Sequence, residues 1–172
     1  MSRAVMLSIR PEWCQLIASG RKTIEVRKTR PKIEPPFKCY IYCTKDQKPA
    51  LYNLQNLPET PVIMTAGDFT KAYKAPDTDW AILCNGKVIG EFVCDAILPI
   101  SIECSDPTAL TTHYEVPGTG LSDVEIMEYL GNGVEGYGWH ISDLVIYDTP
   151  KTLQEFGITM PPQSWRYVEE KI

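Results

Sequence analysis

Residues 20–27, with the sequence Gly-Arg-Lys-Thr-Ile-Glu-Val-Arg, constrain the fold of this chain more than any other segment. We call these residues the octet. Alternate residues of a strand share a face, so Glu25 and Arg27 should point the same way, whereas Lys22 at the start points the other way unless the backbone turns. One acid and two bases therefore meet where a helix gives way to a strand, which predicts the lining of a cleft. The alternative is a solvated, salt-bridged strand.

The residues before the octet predict a strand followed by a helix. Residues 4–9 are mostly apolar, and Pro11 suits the first position of a helix, where its missing N–H costs nothing. Trp13, Leu16 and Ile17 recur at helical spacing and form one apolar face. Gly20 of the octet suits the position just after a helix. The predicted unit is strand, helix and strand, with the charge on the second strand.

The rest of the chain predicts an α+β domain around a closed or half-closed barrel. Further strands are predicted at 38–44, 81–84, 88–98, 139–147 and 166–168. Asn85-Gly86 predicts a hairpin turn that pairs 81–84 with 88–98, and Gly90 predicts a bulge or bend. Ser122 and Glu125 form a capping box that predicts a helix to Leu130.

Residues 45–80 have weak periodicity and scattered prolines. We interpret them as an insertion, with a short helix near 51–57, in a single domain that spans residues 1–172. This length suits one domain with a good core.

Charge and composition limit the classes of partner that the chain could bind. The chain carries a net charge of −5, but residues 21–38 hold seven bases and two acids, which is +5 in a chain otherwise at −10. Such a patch predicts either a small nucleic-acid footprint or a solvated basic loop. No apolar stretch approaches the roughly 18 residues that a membrane span needs, and the amino terminus lacks a signal pattern, so we expect a cytoplasmic protein without a membrane partner.

The cysteines predict no metal site. They are Cys14, Cys39, Cys43, Cys84, Cys94 and Cys104. Most lie in apolar runs that predict strands, so buried free thiols are expected. The chain has no Cys-x-x-Cys pair and only two histidines, and we expect neither a metal nor another cofactor.

The octet and its flanks resemble the ASCH domain. Gly20, Lys22, Glu25 and Arg27 match the family pattern Gly-x-Lys-x-x-Glu-x-Arg without departure. The preceding segment with Ser8 and Trp13 is of the family's kind, and residues 138–142, Gly-Trp-His-Ile-Ser, resemble its closing region. The resemblance covers residues 4–30, 82–100 and 133–168. It implies a PUA-like small mixed β-barrel with flanking short helices.

The resemblance and the charge pattern together indicate a cleft between the first helix, the octet strand and the strand that begins at Trp139. Lys22 and Arg27 would hold phosphate, Glu25 would accept from a base edge or fix Lys22, and an aromatic ring, preferably Trp139, would stack on a base. For single aromatics, core packing is the alternative, and for His140 it is a structural hydrogen bond. The predicted ligand-binding residues are Ser8, Arg10, Trp13, Lys22, Glu25, Arg27, Arg30, Trp139 and His140.

Three functions follow from this interpretation. The first is a module that binds RNA or a nucleotide. The second is an enzyme, since the resemblance permits hydrolysis of N4-acylated cytidine or cleavage of RNA, with Lys22 and Glu25 as catalytic residues. In the amidohydrolase branch a threonine thought to be the nucleophile occupies the position of Glu25, which speaks against that mechanism here. The third is a protein-interaction adaptor that uses residues 45–80. The sequence identifies neither the ligand nor the oligomeric state.

Overall fold

The computed structural model describes residues 2–45, 51–54, 62–65, 81–101, 115–131 and 134–171. Within these ranges the chain forms eleven strands, two α-helices and one 3₁₀ turn. In chain order they are β1 (Arg3–Ile9), α1 (Pro11–Ala18), β2 (Ile24–Arg27), β3 (Phe37–Cys43), β4 (Leu51–Leu54), β5 (Val62–Thr65), β6 (Ala81–Leu83), β7 (Val88–Ile100), β8 (Glu115–Val116), β9 (Leu121–Ser122), α2 (Asp123–Leu130), β10 (Gly136–Lys151), the 3₁₀ turn (Leu153–Phe156) and β11 (Trp165–Glu169).

The main sheet has six strands in the order β11-β1-β3-β7-β10-β2. β1 and β3 run parallel, and the other neighbours are antiparallel. A parallel pair needs a crossover connection, and here α1 and β2 supply it. In the part of the chain that the structure describes, β2 and β11 are the edges of this sheet and do not pair with each other. The mixed α+β class is confirmed, but the predicted small mixed β-barrel is not, because the sheet does not close within the described residues.

The core lies on both faces of the central strands. Along β1, Val5 and Leu7 belong to one buried cluster, and Ala4 and Met6 belong to another. This division follows from the alternation of side chains along a strand. α1 covers the first face with its buried apolar residues, and the 3₁₀ turn covers the second.

The helix boundaries agree with the sequence signals. α1 begins at Pro11, and Gly20 has φ +72° just past its end. α2 begins after Ser122. The Ser122 hydroxyl accepts a hydrogen bond from the backbone N–H of Glu125, and the Glu125 carboxylate accepts one from the backbone N–H of Ser122. The predicted capping box is therefore confirmed.

Two predictions around residues 51–88 are wrong. Instead of a helix near 51–57, β4 forms a strand that pairs with β5 and β6, and residues 55–57 lie outside the described ranges. The turn at Asn85-Gly86 exists, but its two strands join different sheets. Asn85 accepts through its side chain from the backbone N–H of Leu51, and the backbone of Cys84 also donates to Leu51. These bonds draw β6 to β4, whereas β7 continues along β3 and β10.

Most of residues 45–80 lies outside the described ranges, so the insertion, the single-domain assignment and the adaptor role of this segment stay predictions. Among the described residues, no helix is both long and apolar enough to cross a membrane.

Gly90 lies where two ladders change register, as the sequence predicts. It pairs with Ile41 on β3 and with Ile146 on β10, and the register shifts beside both pairs. A Cβ at this position would lie 2.4 Å from the carbonyl oxygen of Val145. The backbone of β10 therefore approaches β7 too closely for any side chain.

We expect Gly90→Ala to lower the free energy of unfolding by about 2 kcal/mol, because the two backbones must separate to admit a methyl group. Urea denaturation measures this. Gly20→Ala is the control, since a Cβ added at this position would have no atom within 4 Å. The only cost expected there is about 1 kcal/mol for an alanine in a left-handed backbone conformation. A Gly90→Ala protein as stable as the wild type would contradict this account of the bulge.

Candidate functional site: a cavity beside a buried charge cluster

Lys22, Glu25 and Arg27 form a buried network that we call the charge cluster. Their exposed fractions are 2%, 7% and 6%. The Glu25 carboxylate lies between the two cations, with Oε1 2.8 Å from Arg27 Nη2 and Oε2 3.3 Å from Lys22 Nζ. Charges this deep persist only when they are paired and hydrogen-bonded. The alternative of a solvated strand is therefore wrong for the octet.

Arg27 connects the edge of the sheet to the opposite edge. Its Nη2 donates to the carbonyl oxygen of Ser8 at 2.8 Å, and its Nη1 donates to the carbonyl oxygen and the hydroxyl of Ser164, each at 3.2 Å. Ser8 lies on β1, and Ser164 directly precedes β11. The guanidinium thus spans the gap that strand pairing leaves open. Because its Nη atoms are committed to the protein, Arg27 positions the site and does not offer the bidentate fork that a phosphate needs.

Lys22 is held by a turn that the sequence did not point to. Its Nζ donates to the carbonyl oxygen of Thr119 at 2.5 Å. Thr119 is itself buried, and its hydroxyl donates to the carbonyl oxygen of Val116. The flanking Gly118 and Gly120 have φ +78° and +67°, a conformation that other residues rarely adopt. This turn brings an acceptor to the ammonium and turns Lys22 toward Glu25.

A cavity of about 550 Å³ opens beside the charge cluster. Its walls come mainly from β1, α1, β2, α2 and the segment before β11. The lining residues are Ser8, Ile9, Arg10, Trp13, Lys22, Glu25, Val26, Arg27, Thr44, Leu121, Glu125, Glu128, Tyr129, Gln163 and Ser164. The ring of Trp13 also meets the ammonium of Lys22, with 5.7 Å between Nζ and the ring centroid, which is within the range of a cation–π contact.

Six of the nine residues predicted to bind ligand line this cavity: Ser8, Arg10, Trp13, Lys22, Glu25 and Arg27. The other three lie elsewhere. Trp139 pairs with Glu25 across the ladder, but it is fully buried and packs against the rings of Phe37 and Trp165. The expected stacking wall is thus a core residue, because two neighbouring aromatics cover the indole.

His140 and Arg30 each contact a surface carboxylate, and neither lines the cavity. His140 Nδ1 lies 2.6 Å from Asp95 Oδ1, and this hydrogen bond lowers the pKa of the Asp95 carboxyl below its usual range. Arg30 Nη2 lies 2.9 Å from Glu34 Oε1. For His140 the structure matches the alternative of a structural hydrogen bond.

Carboxylates neutralise most of the basic patch that residues 21–38 predict. Four of its seven cations pair with carboxylates: Lys22 and Arg27 with Glu25, Arg30 with Glu34, and Lys38 with Glu91 and Glu170. The other three, Arg21, Lys28 and Lys32, have no carboxylate partner within the ranges that the structure describes. Counting charges along the sequence could not separate the paired cations from the unpaired ones.

Sequence reasoning missed the contribution of α2. Glu125, Glu128 and Tyr129 follow the spacing i, i+3 and i+4, so they share one helical face, and all three line the cavity. That spacing was visible in the sequence. What the sequence did not show is that this exposed face lines the same cavity as the octet.

The cysteines contribute no reactive group to the site. Five of them, Cys14, Cys39, Cys43, Cys84 and Cys94, are buried free thiols, and Cys104 lies outside the described ranges. Burial raises the pKa of Cys14 well above its usual range, and a hydrogen bond with Cys43 adds to the effect. The thiol therefore stays protonated. Across the described ranges, no group of acidic, histidine and cysteine side chains is placed to hold a metal ion.

Comparison with known proteins agrees with this architecture. The family model of the ASCH domain matches residues 7–97, more than half of the chain. The crystal structure of ASCH from Zymomonas mobilis is similar over 97% of this chain and 88% of that one, with 19% sequence identity and a TM-score of 0.58. A tyrosine-to-phenylalanine mutant and a serine-to-alanine mutant of that protein have the same identity and score and are covered over 91% and 89% of their chains. No curated protein matches the sequence.

An open mixed sheet that carries the octet beside a cavity is consistent with a PUA-like fold. The chain belongs to the ASCH domain family. The charge cluster lies inside the matched residues, whereas Thr119, α2 and Ser164 lie beyond them.

We expect Glu25→Gln to lower the free energy of unfolding by about 3–5 kcal/mol, because it leaves two buried cations without their counter-charge. Chemical denaturation measures the change. Glu34→Gln is the matched control: it also removes a carboxylate from an arginine, but this carboxylate is 79% exposed, and its loss should change stability by less than about 1 kcal/mol. Equal effects of the two substitutions would contradict the account of the charge cluster.

Proposed function

We propose that this ASCH protein binds RNA or a nucleotide by accepting a nucleobase with its ribose in the cavity. The observation that carries the proposal is one cavity that combines an ammonium–carboxylate pair with an indole wall. Its volume falls in the range of roughly 300–1,000 Å³ that is typical of small-molecule sites. A nucleobase edge offers both donors and acceptors, and the cavity offers both kinds of partner.

Each part of the cavity suits one part of such a ligand. The Lys22 ammonium can donate to a base carbonyl, and Glu25 can accept from an exocyclic amine. Trp13 offers a ring face for stacking. The Thr44 hydroxyl lines the cavity and is buried without a hydrogen-bond partner among the described residues, so a ligand can satisfy it.

Lys22→Met tests this proposal, because it keeps the length of the side chain and removes the donor. We expect it to weaken binding of the preferred ligand by about tenfold or more, since a hydrogen bond to a charged group contributes roughly 1.5–3 kcal/mol. Isothermal titration calorimetry against the four ribonucleosides and a mixed single-stranded RNA measures the change. Trp13→Leu should weaken binding similarly through lost stacking.

Lys32→Met is the control, because this exposed lysine does not line the cavity. The proposal fails if the wild type binds none of these ligands. It also fails if both cavity variants, shown to be folded by circular dichroism, bind as the wild type does.

Hydrolysis of an acylated nucleoside is the second candidate function. The observation that favours it is the 3.3 Å contact between Lys22 Nζ and Glu25 Oε2 inside the cavity. Glu25 would take a proton from the attacking water, and the Lys22 ammonium would stabilise the oxyanion that forms on the acyl oxygen. The protonated Glu25 would then return the proton to N4 as the C–N bond breaks, which releases cytidine and acetate. Both oxygens of Glu25 already have cationic partners within the protein, and this engagement ranks the function second.

If the protein is this hydrolase, the wild type will convert N4-acetylcytidine to cytidine and acetate, and Lys22→Met will lose the activity. Chromatography of the reaction mixture detects the cytidine, and a single-stranded RNA in a parallel reaction detects cleavage. Lys32→Met should retain any activity. Absence of both products with the wild type would eliminate the enzymatic candidates and leave binding as the proposed function.

A further inference from the structure

We propose that Lys28 and Tyr129 form a second subsite at the mouth of the cavity, which binds the nucleotide next to the one inside. The inference rests on the proposed function and narrows it, because a ligand that fills both subsites must be a strand with at least one internucleotide phosphate. We call this pair the mouth subsite. The ligand class it selects is single-stranded RNA rather than a free nucleoside.

Tyr129 supplies the ring of the mouth subsite. It lines the cavity, yet 40% of the residue is exposed, so the side chain extends from the cavity wall into solvent. The burial of Ile126 and Leu130 anchors α2 in the core and fixes where this ring stands. An aromatic ring at such an opening offers a stacking surface to a base of any identity.

Lys28 supplies the charge. It directly follows Arg27 at the end of β2, and its Nζ lies 5.2 Å from the centroid of the Tyr129 ring. Unlike four other cations of residues 21–38, it has no carboxylate partner in the part of the chain that the structure describes. Its charge is therefore available to a phosphate within one side-chain length of the ring.

The cavity lining carries charges of both signs. Glu125 and Glu128 line the α2 side of the cavity, and Glu125 is engaged in the capping box of its own helix. Their negative charge disfavours a phosphate on that side unless a cation offsets it. Arg10 lines the cavity from the start of α1. Lys28 supplies a positive charge beside Tyr129 on the same α2 side, so a phosphate that leaves the cavity there meets Lys28 and the following base meets the ring.

A purely structural role for the pair is the competing explanation, in which Lys28 only covers the ring of Tyr129. The two explanations differ in the salt dependence that they predict for the binding of a ligand with one phosphate. When a protein binds a single strand, the logarithm of the association constant falls with the logarithm of the salt concentration. The magnitude of this slope is about 0.7 for each phosphate that the protein neutralises. A structural contact between Lys28 and Tyr129 contributes nothing to such a slope.

The test compares the four ribonucleosides with the four matching homodinucleotides, ApA, CpC, GpG and UpU. Calorimetric titrations at three salt concentrations give both the affinity and its salt dependence. We expect the preferred dinucleotide to bind about tenfold more tightly than its nucleoside and with a slope of about 0.7. Lys28→Gln should remove the slope, Tyr129→Ala should remove most of the gain in affinity, and Tyr129→Phe should retain it.

Lys32→Gln is the matched control for charge, and it should leave both quantities unchanged. Thermal unfolding verifies that each variant is folded. Equal affinity for nucleosides and dinucleotides, or an unchanged slope in Lys28→Gln, would overturn the mouth subsite and leave the cavity proposal standing. Loss of the slope in Lys32→Gln as well would overturn the subsite in favour of general electrostatic attraction. Failure of the wild type to bind either class would overturn both proposals.

Discussion

The carboxylate of Glu25 is the interaction on which the rest of the site depends. One oxygen meets Arg27 and the other meets Lys22. Arg27 then reaches Ser8 and Ser164 across the open edge of the sheet, and Lys22 reaches the turn at Thr119. A buried ion pair is weak evidence for stability, since well-packed apolar residues often do as well. The consequence of the charge cluster is geometric, because it places polar groups beside a cavity where the sheet remains open.

This neutralisation changes how the positive charge of the chain should be interpreted. A run of seven bases suggests a surface that attracts phosphate, but most of those bases hold the protein together. Within the described residues, three of the seven have no carboxylate partner, Lys28 among them, and none of these three lines the cavity. Our proposal therefore places a base and sugar inside the cavity, with a phosphate contact at its rim.

Local signals in the sequence predicted local features well. The end of α1 at Gly20, the capping box of α2 and the bulge at Gly90 depend on a few neighbouring residues, and the structure contains all three. Long-range features were not accessible in the same way. Alternation along β10 places Trp139 on the same face as Glu25 but does not reveal the aromatic rings that cover it. Likewise, the acceptor for Lys22 lies 97 residues away, and no motif connects the two.

The central claim is that the space beside Lys22 is a ligand site whose floor is the charge cluster. A crystal structure of the protein grown with its preferred ribonucleoside or dinucleotide tests this most directly. We predict a base against Trp13, within hydrogen-bond distance of Lys22 or Glu25, with both contacts of the Glu25 carboxylate intact. A ligand bound outside the cavity, or a cavity closed by the protein's own side chains, would contradict it.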